Sequence, residues 1–162
     1  MFFTKDLRGL QQKMIRKAAD ADAGRMAEII VYNNRINFYP IFGDIEYSFK
    51  EFNVLDVCRS FLDDRQFMDG AWVFEDKVVK GFVSCKGGEI VKLYGDSFVQ
   101  SEGIGGKLLD FAVERLGAEW LWALEKNTRA VEFYKKHGFE PNGEKIYEEG
   151  TTEYLIKLVK TR

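Results

Sequence analysis

At 162 residues the chain is long enough to bury a substantial core, and 46% hydrophobic with 15% aromatic residues argues against a disordered chain. A net charge of −2 provides no electrostatic footprint for nucleic acid, and no apolar run approaches the length of a membrane span. With His137 the only histidine, and Cys58 and Cys85 far apart, a His-containing zinc site or a Cys–His catalytic pair has little material. The two cysteines read as buried thiols. Met1 to Asp6 lacks the layout of a secretory signal, so a cytoplasmic protein of one domain, residues 1–162, is expected.

In chain order, Met14 to Ala18 reads as a short strand. Asp20 and Asp22 are candidate N-caps for a helix to about Tyr32, with Met26, Ile29 and Ile30 inward. An aromatic-rich segment follows, holding Tyr32, Phe38, Tyr39, Pro40, Phe42 and Tyr47. Ser48-Phe49-Lys50-Glu51 matches a capping box, which predicts a second helix with Phe52, Leu55, Cys58, Phe61 and Leu62 on its apolar face.

Ala71 to Phe74 and Val78 to Val83 flank the polar Glu75-Asp76-Lys77, a hairpin pattern. Gly87-Gly88 punctuates before a fourth strand, Glu89 to Tyr94. A helix from Gly103 to Leu116 points Ile104, Leu108, Phe111, Ala112 and Leu116 inward and leaves Lys107, Asp110 and Glu114 wet. Trp120 to Leu124 is a fifth strand. Thr128 to His137 is a short helix stopped by Gly138, with His137 as its solvated, dipole-favoured end. Lys145 to Tyr147 and Glu153 to Val159 form a terminal hairpin around Glu148-Glu149-Gly150.

Between the fourth strand and its helix lies Gln100-Ser101-Glu102-Gly103-Ile104-Gly105-Gly106-Lys107. Glycines at such a junction let a ligand approach the backbone, and the first helical turn offers unpaired N–H groups to a phosphate. A mononucleotide loop closing on Gly106-Lys107 needs glycine where Ser101 stands and Ser or Thr where Leu108 stands. A dinucleotide loop starting at Gly103 needs glycine or alanine at Leu108. The spacing that fits is [QR]-x-x-G-x-[GA], on Gln100, Gly103 and Gly105.

That loop resembles the acetyl-CoA loop of the GNAT superfamily of N-acetyltransferases. Asn127 to Phe139 is similar to the family's N-x-x-A-x-x-[FL]-Y-x-[KR]-x-G-F segment, matching at Asn127, Ala130, Phe133, Tyr134, Gly138 and Phe139. Ile15 to Asp22 resembles the family's usual start, so the likeness runs over nearly the whole chain. It implies an α/β (α+β) fold, with a central mixed, mostly antiparallel sheet flanked by helices and with splayed fourth and fifth strands. The implied activity is acetyl transfer from acetyl-CoA to a primary amine of a small molecule or peptide, by direct attack in a ternary complex. Neither a metal nor a nucleic-acid or membrane partner is implied, and a homodimer stays open. The rival reading is a non-catalytic coenzyme-A-binding or interaction module on the same fold.

Carried onto this sequence, the resemblance gives Leu93, Tyr94 and Gly95 to pantetheine. It gives Gln100, Ser101, Glu102, Gly103, Ile104, Gly105, Gly106 and Lys107 to pyrophosphate, and Asn127 to the cofactor arm. Tyr134 is implied to reach the cofactor sulfur as general acid. Two positions depart from the family pattern: Gly95, where a β-branched residue is usual, and Ser101, where glycine is common. Glu89 stands as far before Gln100 as the catalytic glutamate of the histone-acetyltransferase branch, which implies a base for the acceptor ammonium at this position, the alternatives being a solvated strand end with deprotonation through another position or a water chain. Tyr39, Phe42 and Glu46, with Asp44, fall where the family builds its acceptor pocket, suiting an amine with an apolar body.

Overall fold

The computed structural model describes residues 14–162, except the side chains of Gln100 and Ser101. Seven strands form one sheet in the order β1-β2-β3-β4-β5-β7-β6. They are β1 (Ile15–Lys17), β2 (Ala71–Asp76), β3 (Val78–Lys86), β4 (Glu89–Gly95), β5 (Trp120–Leu124), β6 (Phe139–Tyr147) and β7 (Tyr154–Lys160). Every neighbouring pair is antiparallel except β4 with β5.

Alternation along the strands divides the core between the two faces. On β3, Phe82 faces a cluster built with α1 (Ala23–Asn33), α3 (Val54–Asp63) and α4 (Arg65–Asp69), which contributes Met26, Ile30, Phe61 and Met68. Its neighbour Val83 faces the other cluster, where α5 (Ile104–Leu116) and α6 (Thr128–Lys136) supply Leu108, Leu109 and Val131 against Phe139 and Leu158. Phe82 and Phe139 are fully buried, and each such side chain stabilises the fold by roughly 1.5–3 kcal/mol relative to exposure. Gly81 sits where α5 crosses β3. A Cβ there would lie 2.8 Å from Ile104 Cγ2 and 2.9 Å from the Tyr94 carbonyl oxygen, so no larger residue fits without moving the helix.

Several local expectations are corrected. Asp22 does not cap α1; its carboxylate accepts from Ala19 N at 2.8 Å and from Arg16 Nη1 at 2.8 Å, while Arg16 Nε reaches Glu75 at 2.6 Å. Ser48 to Glu51 is not a capping box. Tyr47–Glu51 is a π-helical turn, and Asn53 is the cap of α3, accepting from Asp56 N at 3.0 Å. Leu55 is 69% exposed, and the inward residues of α3 are Val54, Val57, Cys58, Phe61 and Leu62. On α5, Leu109 is buried as deeply as Leu108, beyond the expected set. Both thiols are free and half-buried rather than buried, and burial pushes Cys85 up to about 11.

Candidate active site

β4 and β5 meet in register only at Glu89 with Trp120 and Ile90 with Leu121. Two features prevent them from continuing together. Opposite β3, Ser84 pairs with Lys92 and Cys85 with Ile90, so Val91 is an extra residue, and such a bulge bends its strand. β5 meanwhile stays paired with β7 along its whole length. The strands therefore diverge after Ile90, and a cavity of about 590 Å³ occupies the gap. Its floor is Ile90 to Tyr94 on one side and Leu121 to Leu124 on the other.

The far end of β4 is pinned where the glycine-rich loop begins. Asn33 Nδ2 donates to the Gly95 carbonyl at 2.9 Å, Asp96 N donates to the Lys80 carbonyl at 2.8 Å, and Arg25 pairs with Asp96. Lys80 also holds Glu102 at 3.2 Å, fixing the loop's other end. Ser97–Glu102 forms a 3₁₀ turn, and Gly103 (φ 70°) takes the left-handed conformation that starts α5. Lys107 N donates back to the Gly103 carbonyl, whereas the amides of Ile104, Gly105 and Gly106 precede any such partner. A Cβ on Gly95 would stand 4.0 Å from Gly105 N, so the departure at Gly95 leaves open space beside the helix start. The Ser97 hydroxyl is buried with no partner among the described residues. Free amides, an open flank and an orphaned hydroxyl fit a phosphate-bearing ligand. The Gln100 and Ser101 side chains, both expected at this ligand, lie outside the described residues.

Asn127 and Tyr134 both line the cavity from the α6 side. Asn127 caps its own helix, its Oδ1 accepting from Ala130 N at 3.3 Å. Tyr134 packs edge-on to Phe133 and Phe139, and no described residue bonds its hydroxyl. Burial, with Tyr94 adding to it, pushes the Tyr134 phenol above its ordinary value, so it keeps its proton at neutral pH. His137 is not simply solvated. Its ring lies 4.6 Å from that of Phe133, and a Cβ on Gly106 would come within 3.1 Å of it.

The opposite wall comes from residues 34–52. Two π-helical turns, Asn34–Phe38 and Tyr47–Glu51, bracket the short helix α2 (Tyr39–Phe42). This stretch presents Phe38, Phe42, Asp44, Tyr47, Ser48 and Phe52 to the cavity. Of the residues expected here, Phe42 and Asp44 line the wall and Tyr39 and Glu46 do not. Phe38 and Phe42 are four residues apart on one helical face, while Tyr39 is rotated off it and packs edge-on to Phe49 at 5.2 Å. Glu46 is exposed beside Asp44, which accepts from Tyr47 N at 2.9 Å. Asn34 is 7% exposed, lines the cavity and carries an unpartnered Oδ1.

Glu89 sits at the paired end of β4 and is not in the cavity wall. Burial raises its carboxyl above the ordinary value, opposed by Lys86 and Lys157. Lining the cavity instead are Glu148 and Glu149, from the turn joining β6 and β7. The Glu148 charge is felt by Tyr47, Lys92 and Tyr94. Burial with that charge pushes Tyr94 up to about 12. Lys92 is the one cation among the described lining residues. Neither Lys92 nor Glu148 carries a sequence signal for the cleft, since the bulge and a distant hairpin bring them there. Among the described residues no group of three or more His, Cys, Asp or Glu is arranged to hold a metal ion, and no helix is long and apolar enough to cross a membrane.

Residues 69–141, from the end of α4 through the loop and α6 into β6, match the family model described as an acetyltransferase (GNAT) domain. No curated sequence matches the chain. Among solved structures, apo YjaB from Escherichia coli is 26% identical with a TM-score of 0.72, over 90% of this chain and 95% of that one. An N-acetyltransferase from Staphylococcus aureus Mu50 shares the fold at 18% identity and TM-score 0.70, over 90% and 99%. So does the PaiA N-acetyltransferase of Thermoplasma acidophilum in complex with coenzyme A, at 18% and 0.64, over 90% and 97%. The family model spans the glycine-rich loop and the Asn127-to-Phe139 segment, and the sheet and helices around them are those of the fold these structures share: residues 69–141 match a GNAT acetyltransferase domain, within a chain that has the GNAT fold.

Proposed function

We propose that this protein moves an acetyl group from acetyl-CoA to the primary amine of a small molecule or peptide, by direct attack in a ternary complex. The observation that carries the reading is the cavity between diverging β4 and β5, which joins the glycine-rich loop to an aromatic, acidic wall. Residues 1–162 act as one domain in this reading, in the cytoplasm.

Acetyl-CoA supplies the activated thioester. The backbone from Gln100 to Lys107, led by the amides of Ile104, Gly105 and Gly106, holds its pyrophosphate. Leu93, Tyr94 and Gly95 hold the pantetheine arm, with Asn127 facing it across the gap. An amide of β4 supports the developing oxyanion. Tyr134, kept protonated by burial, gives its proton to the departing sulfur. Phe38, Phe42 and Tyr47 surround the acceptor's apolar body, and Asp44, Glu148 and Glu149 outnumber Lys92, which favours a cationic amine. Glu148 is better placed than Glu89 to take the acceptor's proton, because it faces the cavity.

The test is thiol release from acetyl-CoA against a panel of amines that includes diamines, aralkylamines and peptide N-termini. Turnover with cationic amines supports the reading. Tight coenzyme A binding without turnover on any amine makes the chain a binding module instead.

A further inference from the structure

Lys92 is a primary amine inside the proposed acetyl-transfer cleft. It stands on β4 one residue past the bulge at Val91, paired with Ser84. Ser84 Oγ bonds the Phe67 carbonyl under α4, and Tyr94 packs on the cluster of α1 and α3, so Lys92 points toward the same side of the sheet. That is the side where residues 34–52 build the acceptor wall. Its side chain lines the cavity, half-buried, and no described residue bonds it or pairs with it within 4.0 Å. Glu148 is the charged group that acts on it, and the other titratable groups lining the same cavity are Asp44 and Tyr47 from the wall, Glu149 from the β6–β7 turn, Tyr94 on its own strand and Tyr134 on α6. A buried lysine is ordinarily tied to a carboxylate. This one is aimed into the space where acetyl groups are handed to amines.

We propose that Lys92 is a self-acetylation site: with no acceptor bound, the protein transfers the acetyl group of acetyl-CoA to its own Lys92 Nζ. The Nζ lone pair attacks the thioester carbonyl carbon, the C–N bond forms and the C–S bond breaks. The nitrogen loses one proton to a cleft carboxylate, and the sulfur leaves as a thiolate that takes one proton from Tyr134. The products are an Nε-acetyl amide and coenzyme A thiol. Burial holds the Lys92 ammonium below the ordinary lysine value, which enlarges the share of free, nucleophilic amine near neutral pH. Acetylation removes the one cation among the described lining residues and leaves Asp44, Glu148 and Glu149, so the modified cleft discriminates more strongly for cationic amines.

The inference rests on the proposed acetyl-CoA chemistry, and the experiment separates the two. Purified full-length protein is incubated with isotopically labelled acetyl-CoA, without acceptor, and digested after glutamate. Cleavage after Glu89 and Glu102 frees a peptide in which Lys92 is the only lysine. Labelling of that peptide should be at least about tenfold faster than at exposed lysines, because the amine is held beside the thioester. Its half-time should not change with protein concentration, and a saturating amine acceptor should protect it. Gly105→Val, which crowds the cofactor loop, should abolish it while exposed lysines label as before. Labelling no faster than at exposed lysines, or a half-time that shortens with protein concentration, overturns the proposal. If acetyl-CoA binds and an amine turns over while Lys92 stays unlabelled, this inference alone falls. If no acetyl-CoA binds, the functional reading falls with it.

Discussion

Ile90 of β4 and Leu121 of β5 are the last pair in register before the two strands part. Everything proposed for the cleft lies past that pair. Amides and carbonyls of β4 that a paired β5 would consume are left facing the cavity, where an extended amide-bearing arm can replace the missing strand. Acetyl-CoA should therefore stabilise the folded protein. At about a hundredfold excess over Kd, a ligand specific to the folded state adds about 2.7 kcal/mol. A thermal shift with millimolar acetyl-CoA checks it, and a shift with ATP but none with acetyl-CoA counts against the assignment.

Tyr134→Phe removes one hydroxyl that no described protein group bonds, and little packing volume. Its effect should fall on kcat, lowered roughly 10²–10⁴-fold, with acetyl-CoA affinity nearly unchanged. Steady-state kinetics beside a coenzyme A titration separate the two quantities. An unchanged kcat makes Tyr134 a packing residue.

Gly105→Val tests the loop. A Cβ there meets the Phe133 ring at 3.5 Å, an ordinary contact, so the fold should tolerate the change better than the ligand does. Coenzyme A affinity should drop at least about tenfold, while the urea midpoint moves little. Equal affinity in the variant refutes the loop assignment.

The strands, the loop and α6 were legible because each is local. Glycines sit at a strand-to-helix junction, apolar residues recur at helical spacing, and Asn127 precedes its helix as a cap. The aromatic wall of the cavity was not. The segment gave no helical pattern to read, broken as it is by two π-helical turns, so nothing in the sequence showed that Phe38 and not Tyr39 lines the cavity with Phe42. Ser48 to Glu51 imitates a capping box while Asn53 does the capping. Glu89 matched a spacing measured along one strand, but spacing carries no information about where β5 stops pairing. Glu148 reaches the cleft only through the β6–β7 hairpin, a contact with no local signature.

Asp22 predicts a pH dependence of stability. The Arg16 guanidinium, and then the Ala19 amide, hold its carboxyl below the ordinary value. A lowered folded-state value contributes stability above the unfolded pKa of about 3.9, and that stability is lost as pH falls through the folded value. Asp22→Asn should cost about 1–2 kcal/mol at pH 7, discounted because Arg16 is 40% exposed, and the cost should shrink below about pH 4. Urea midpoints of both proteins at pH 7 and pH 3 give the comparison. An equal gap at both values assigns the effect to packing instead.

The identity of the base separates two carboxylates by position. Glu148 lines the cavity and its charge reaches Tyr47, Lys92 and Tyr94, whereas Glu89 lies at the closed end of β4 under the influence of Lys86 and Lys157. A base must come within hydrogen-bond reach of the acceptor's proton, directly or through one water. Glu148→Gln keeps shape but accepts no proton at neutral pH. It should lower kcat/KM roughly 10²-fold near pH 7 and recover as pH rises toward the amine's own pKa, where free amine needs no base. Glu89→Gln should follow the parent profile within about twofold, since surface changes away from a site cost little. The measurement is kcat/KM against pH for the three proteins with one acceptor. A slow Glu89→Gln beside an unaltered Glu148→Gln would return the role to the β4 glutamate, acting along the strand through water.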